Sequence, residues 1–179
     1  MLAKRRLIAH PDHPAPAIEI DVTVSGEGEH ALRLGYVLRG ALDEISIPSP
    51  APSARTDELW RTTCFEAFLM PGGGPGYAEL NLSPSSRWAA YLFDGYRAGM
   101  RDADLSALSV AVAAGGGRLV LDASFVLPIA WPARLGLSAV IEEISGRKSY
   151  WALAHPVGAP DFHHSDCFAL ELPAARSTI

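Results

Sequence analysis

An all-β fold, a two-sheet antiparallel sandwich of about ten short strands, is what this sequence predicts. Three observations carry that expectation. Apolar residues recur at every second position through most of the chain, the period of a half-buried strand. Gly- and Pro-containing turn signals separate these runs. No run with helical spacing is long enough to organise a fold.

Ile18, Ile20, Val22 and Val24 alternate with Glu19, Asp21 and Thr23. Leu32, Leu34, Tyr36 and Leu38 alternate with Arg33 and Arg39, and Ser25–Glu29 reads as the hairpin between these two strands. A short apolar run, Leu42–Ile47, precedes the Pro- and Ser-rich loop Pro48–Thr56. Strands are expected at Trp60–Met70 and Tyr77–Leu82, split by Pro71–Gly76, and again at Trp88–Phe93. Gly115–Gly117 separates Leu108–Ala114 from Arg118–Leu127. Leu135–Ile144 and Ser149–His155 form a hairpin around Ser145–Arg147, and Cys167–Leu172 closes the set. Asp94–Leu105, with Tyr96, Met100 and Asp104 at four-residue spacing, reads as a helical turn, and Pro128–Arg134 as a second short one. The glycine runs lack the Lys-Ser/Thr and strand-to-helix context of a phosphate loop and are read as turns.

The 179 residues suit a single domain, with a core spanning about residues 17–172. Hydrophobic residues make up 49% and charged residues 20%, with a formal net charge of −5. That balance argues against a nucleic-acid partner, and no basic stripe points to a membrane surface. The apolar run after Lys4-Arg5-Arg6 is too short for a signal-peptide core, so the expected compartment is the cytoplasm. Two cysteines, Cys64 and Cys167, make no disulfide framework and are expected reduced and at least partly buried.

Strand parity sorts the chemistry-bearing residues. On Trp60–Met70, Trp60, Thr62, Cys64 and Glu66 share one face, while Phe65, Ala67 and Leu69 take the core face. An aromatic ring beside a carboxylate suits a sugar, whose apolar ring face stacks and whose hydroxyls donate. Taken alone, the same residues describe a plugged sandwich edge with a solvated acid better than a site. Tyr77, Glu79, Asn81 and Ser83 line a second polar face, and Arg87 adds a forked donor nearby, as a site or as a salt-bridged surface. The segment Tyr150–Cys167 carries Trp151, His155, His163, His164, Asp161 and Asp166. Its spacing matches no metal signature, so His163 and His164 are expected to be structural or ligand-lining, with no metal site. No catalytic motif stands out; Glu66 and Glu79 could form a glycosidase pair only if they approach in space.

The stretch Leu59-Trp60-Arg61-Thr62-Thr63-Cys64-Phe65-Glu66-Ala67-Phe68-Leu69 resembles a strand of the DOMON-like superfamily, which includes the family 9 carbohydrate-binding modules. Tyr77–Pro84 is similar to the next strand of that group, and Pro160–Leu172 to its last. The whole looks most like the stand-alone bacterial DOMON-like proteins. The resemblance implies a β-sandwich that binds a sugar or, in cytochrome-type branches, haem. In the sugar-binding modules two tryptophans clamp the ligand, with a Glu and an Arg nearby. Trp60 matches the first tryptophan, Glu66 falls at the right offset, and Arg87 follows the second strand. Trp151 is available as the second tryptophan, although Phe162, His163 or His164 occupies the final-strand position. Structural calcium is a further implication. With no export signal and no attached hydrolase, a small sugar-like ligand is expected rather than a polysaccharide.

The resulting expectation is a non-catalytic domain binding a small carbohydrate or related polar ligand at Trp60, Glu66, Glu79, Asn81, Arg87, Trp151, His163 and His164. Alternatives are a haem domain, with Met70, Met100, His155, His163 or His164 as axial ligands, and a sugar-acting enzyme using Glu66 or Glu79. One geometric demand follows. Residues six apart on an uninterrupted strand stand roughly 20 Å apart. For Trp60 and Glu66 to share a ligand, the chain must bend near Thr62–Thr63, or Trp60 must lie on the preceding loop.

Overall fold

The alternating runs assemble into two antiparallel sheets in the computed structural model, which describes residues 1–27, 31–105, 108–126 and 133–172. In chain order the strands are β1 (Ala3–Arg6), β2 (Ile8–Ala9), β3 (Ile18–Glu27), β4 (Ala31–Gly40), β5 (Cys64–Pro71), β6 (Tyr77–Leu82) and β7 (Trp88–Phe93). They continue as β8 (Arg101–Asp102), β9 (Ser109–Gly115), β10 (Arg118–Val126), β11 (Ala133–Glu142), β12 (Lys148–Ala152) and β13 (Leu170–Leu172). One sheet has the order β1-β3-β4-β10-β9. The larger runs β2-β12-β11-β5-β6-β7-β8, with β13 also pairing on β11.

The faces separate as strand parity requires. Ile20, Val22, Leu34, Leu38, Leu119 and Leu121 point inward from the smaller sheet. Phe65, Ala67, Leu80, Leu82, Leu137 and Ile141 meet them from the larger one, and the layer between is the main core. The other face of the larger sheet is also apolar, carrying Cys64, Phe68, Tyr77, Tyr91, Phe93 and Val140. Loops fold over it, bringing Leu59, Phe162 and Phe168. Gly136 allows this close cover: a Cβ there would press on the Cys167 carbonyl and on Phe68.

Tyr36 ties the layers together. Its ring is sealed in the main core against Phe65, and its hydroxyl donates to the Glu66 carbonyl at 2.7 Å. The smaller sheet therefore holds the β5 backbone at the residue whose side chain emerges on the far face. Tyr36→Phe is expected to cost about 1 kcal/mol in urea unfolding, the value of one buried hydrogen bond, with an unchanged β-sheet circular dichroism spectrum.

The residues Ala3–Ala9 form an arm across the sandwich edge. β1 pairs with β3 in one sheet and β2 with β12 in the other, and Leu7 is buried between them.

Several elements differ from the sequence expectation. Trp60 is not on a strand: it sits in a 3-10 turn, Leu59–Arg61, and β5 begins only at Cys64. Asp94–Leu105 is not helical; it bends back through a bridge between Gly95 and Ala98 and ends in the short strand β8. Arg97 and Gly99 have φ of +52° and +67° there, which no right-handed helix admits. Leu42–Glu44 and Ser165–Cys167 are 3-10 turns. The expected turn at Pro128–Arg134 falls mostly on residues 127–132, outside the described residues; Ala133 and Arg134 open β11. Both cysteines are free thiols and buried.

Candidate functional site

A cavity of about 890 Å³ opens on the loop-covered face of the larger sheet. Its floor is built by strand neighbours. Glu66 on β5 pairs with Asn81 on β6, which places Glu79, two residues earlier, diagonally beside Glu66 on the same face. Tyr91 and Phe93 on β7 and Val140 on β11 extend the floor. The turn before β5 carries Trp60 to the rim, where it is 46% exposed with the Arg61 guanidinium 5.2 Å from its ring centre. Trp60 thus lies off the strand, on the turn that precedes it, and lines the same cavity as Glu66.

The two floor carboxyls are nearly solvent-free, Glu66 at 3% and Glu79 at 6% exposure. Burial raises the pKa of Glu66 well above the carboxylate range, and the charge of Glu79 adds to it. Burial raises Glu79 as well, opposed by the Asn81 amide, which donates to its Oε1 at 2.8 Å. Glu66 is in no ion pair among the described residues, and the neighbouring Ser138 hydroxyl favours its ionised form. Ser138, its partner across β11, is buried and makes no hydrogen bond of ordinary length, so the carboxyl of Glu66 is the polar group it faces.

One wall is a polar relay set in aromatic rings. The Tyr77 hydroxyl accepts the Arg97 backbone N–H at 3.1 Å and lies 2.7 Å from His163 Nδ1. Burial among Phe68, Phe93 and Tyr77 lowers the His163 pKa to about 4, so the ring is neutral near pH 7. A neutral ring that takes the Tyr77 proton at Nδ1 carries its own on Nε2, which faces Glu79 Oε2 at 3.8 Å. Asp161 fixes the other side: it accepts the Arg97 guanidinium at 2.8 Å, the Tyr96 hydroxyl at 2.5 Å and the His163 N–H at 3.2 Å. The left-handed Arg97 is held by these bonds at the cavity edge. Gly99 completes its turn, where a Cβ would strike the Asp94 carboxylate.

Of the residues singled out in the sequence, Trp60, Glu66, Glu79 and His163 line the cavity. Asn81 stands behind Glu79 and orients it. Arg87 does not converge with Trp60 and Glu66: it precedes β7 and its guanidinium donates to Thr56 Oγ1 at 3.1 Å. Trp151 points into the main core, with its indole N–H on Ser149 Oγ at 3.0 Å, so the neighbouring Tyr150 reaches the cavity instead. His164 caps the Ser165–Cys167 turn by accepting the Asp166 N–H. Sequence reasoning missed Arg97, Tyr91, Tyr150 and Lys148, all lining residues. Among the described residues no three His, Cys, Asp or Glu side chains are placed to hold a metal ion.

No family model matches this chain, and no curated protein matches it in sequence. Solved structures do match its fold. A proposed carbohydrate-binding protein from Bacteroides uniformis superposes with a TM-score of 0.63 at 14% identity, covering 93% of this chain and 84% of that one. A family 9 carbohydrate-binding module from Caldicellulosiruptor kristjanssonii in complex with cellotriose gives 0.52 at 9% identity, covering 81% and 70%. The same type of module from that organism in complex with glucose gives 0.52 at 9%, covering 85% and 76%. At such identities the likeness establishes a shared β-sandwich fold of the family 9 module type.

Proposed function

We propose that this chain binds a small sugar-like ligand, without catalysis, in the cavity between Trp60 and the Glu66–Glu79 floor. The observation that carries this reading is a half-exposed tryptophan on the rim of a cavity whose floor holds two buried carboxyls in no ion pair with lysine or arginine. A tryptophan ring offers a stacking surface for the apolar face of a pyranose. A carboxyl whose proton affinity is raised by burial is suited both to donate to and to accept from hydroxyls, and Tyr91, Arg97 and Lys148 supply further polar contacts at the walls. The fold shared with modules solved with glucose and cellotriose supports the same reading. A haem reading finds less support. Both nitrogens of His163, the histidine in the cavity, face Tyr77 and Glu79, and a porphyrin would need apolar contact where two carboxyls stand.

Titration calorimetry with monosaccharides and disaccharides tests this. Trp60→Ala is expected to weaken binding by about 2 kcal/mol, roughly 30-fold, while the thermal unfolding temperature stays near that of the parent. Unchanged affinity in that variant would place the ligand elsewhere.

A further inference from the structure

Carboxyls outnumber cations around the cavity, and the two most deeply buried of them lie on the floor. Asp57 is held by Arg55 at 2.8 Å and by the Tyr91 hydroxyl, and Arg55 also pairs with Asp102. Glu58 pairs with Arg61 at 2.8 Å, and Arg97 is committed to Asp161. The Lys148 ammonium donates to the Arg61 carbonyl at 2.5 Å. That leaves Lys148 on the wall as a cation in no ion pair, and on the floor Glu66 and Glu79, neither of them in an ion pair with lysine or arginine among the described residues; the nearest base, His163, is neutral. A buried carboxylate without a partner is among the costlier things a fold can hold. Burial meets that cost here by raising the proton affinity of both groups, yet two carboxyls are retained side by side at a cavity floor where a hydrocarbon side chain would be more stable.

We propose that the cognate ligand is an amino sugar with a free ammonium group, seated between the Glu66 and Glu79 carboxylates while its ring packs on Trp60. This rests on the sugar-binding reading and narrows it. An ammonium has three donors and one charge. It meets both unpaired carboxylates and still has a donor left for the Ser138 hydroxyl. Arg97, on the same wall, lowers the proton affinity of both carboxyls and helps the ionised pair form when the cation arrives. Binding then has a proton balance: proton held on the pair by burial is released to solvent as the ammonium enters.

Calorimetry with glucosamine, galactosamine and mannosamine, set beside the parent hexoses, their N-acetyl forms and cyclohexylamine, tests the assignment. At a pH where the amine is charged, one hexosamine should bind about tenfold or more tighter than its hexose and its N-acetyl form. Its binding enthalpy should vary with buffer ionisation enthalpy, showing proton release, and that of the neutral hexose should not. Glu66→Gln, checked for folding by circular dichroism, should bring the hexosamine-to-hexose ratio close to one. Equal affinity for hexose and hexosamine would overturn the ammonium assignment and leave the sugar reading standing. Binding of cyclohexylamine with no sugar bound would overturn the sugar reading instead. Binding of none of these compounds would overturn both.

Discussion

Phe68→Ala should destabilise the protein by about 3–5 kcal/mol, the range for removing a large buried aromatic. Phe68 is 1% exposed and lies at the centre of the apolar layer under the loops. Its ring meets His163 edge-on at 5.1 Å and Phe168 at 5.9 Å, and contacts Tyr77 at 6.3 Å. Gly136 opposite has no side chain to collapse into the gap, so the cavity left by the ring persists. Part of the damage should be local. His163 would lose the ring that keeps water away, so its pKa should rise toward the ordinary histidine value. Urea unfolding reads the first effect and imidazole proton titration by NMR the second. A loss below about 1 kcal/mol would mean that the loops are not packed on Phe68 as described.

Acid should expose His163 as a liability. Its folded pKa, about 4, lies below the unfolded value of 6.5. Below pH 6.5 the unfolded chain takes up a proton that the folded chain refuses, so stability is lost as pH falls from 6.5 to about 4. With the ring well buried, the full loss is of the order of 3 kcal/mol. Glu66 and Glu79 act with the opposite sign: their raised folded pKa values mean that falling pH stabilises the fold until the unfolded carboxyls also protonate, near 4.5. The two trends partly cancel in the parent. A difference measurement separates them. His163→Gln, less stable than the parent at pH 8 through the lost Tyr77 contact, should gain on it by about 2–3 kcal/mol as pH falls to 4. A difference that stays constant across that range would mean that His163 takes up its proton at the same pH in the folded and unfolded chain, with no effect of burial.

Much of the sandwich was legible because alternation and burial agree along most strands. Tyr77–Leu82 and Trp88–Phe93 begin and end where the pattern predicted. The failures have physical causes. Lys4-Arg5-Arg6 shows no alternation, and its strand exists only because β3 offers it an edge. Tyr96, Met100 and Asp104 mimic a helical face, but the bend is dictated by hydrogen bonds to Tyr77 and Asp161, the latter 64 residues from Arg97. The floor of the site followed from parity, since Glu66 and Glu79 had to share a face once β5 and β6 paired. Parity also ties Tyr150 and Trp151 to opposite faces, but it does not say which one faces the core. The Arg97 wall comes from a turn, where no periodicity marks which side chain will reach a cavity.

The arm at Ala3–Ala9 bears on how the molecule behaves in a crowd of its own copies. Without it, β3 with its ten residues and β12 with five would each present a bare ladder of amide and carbonyl groups. Such margins recruit strands from other chains and start aggregates. With the arm in place, the outermost strand of one sheet is four residues carrying Lys4, Arg5 and Arg6, and that of the other is two residues long. Both are poor templates, the first because incoming chains meet repelling cations and the second because it is too short to hold a register. Proteolytic clipping before Ile18 would therefore threaten colloidal behaviour first: turbidity should climb on storage while the cavity floor, built on β5, β6 and β7, still forms.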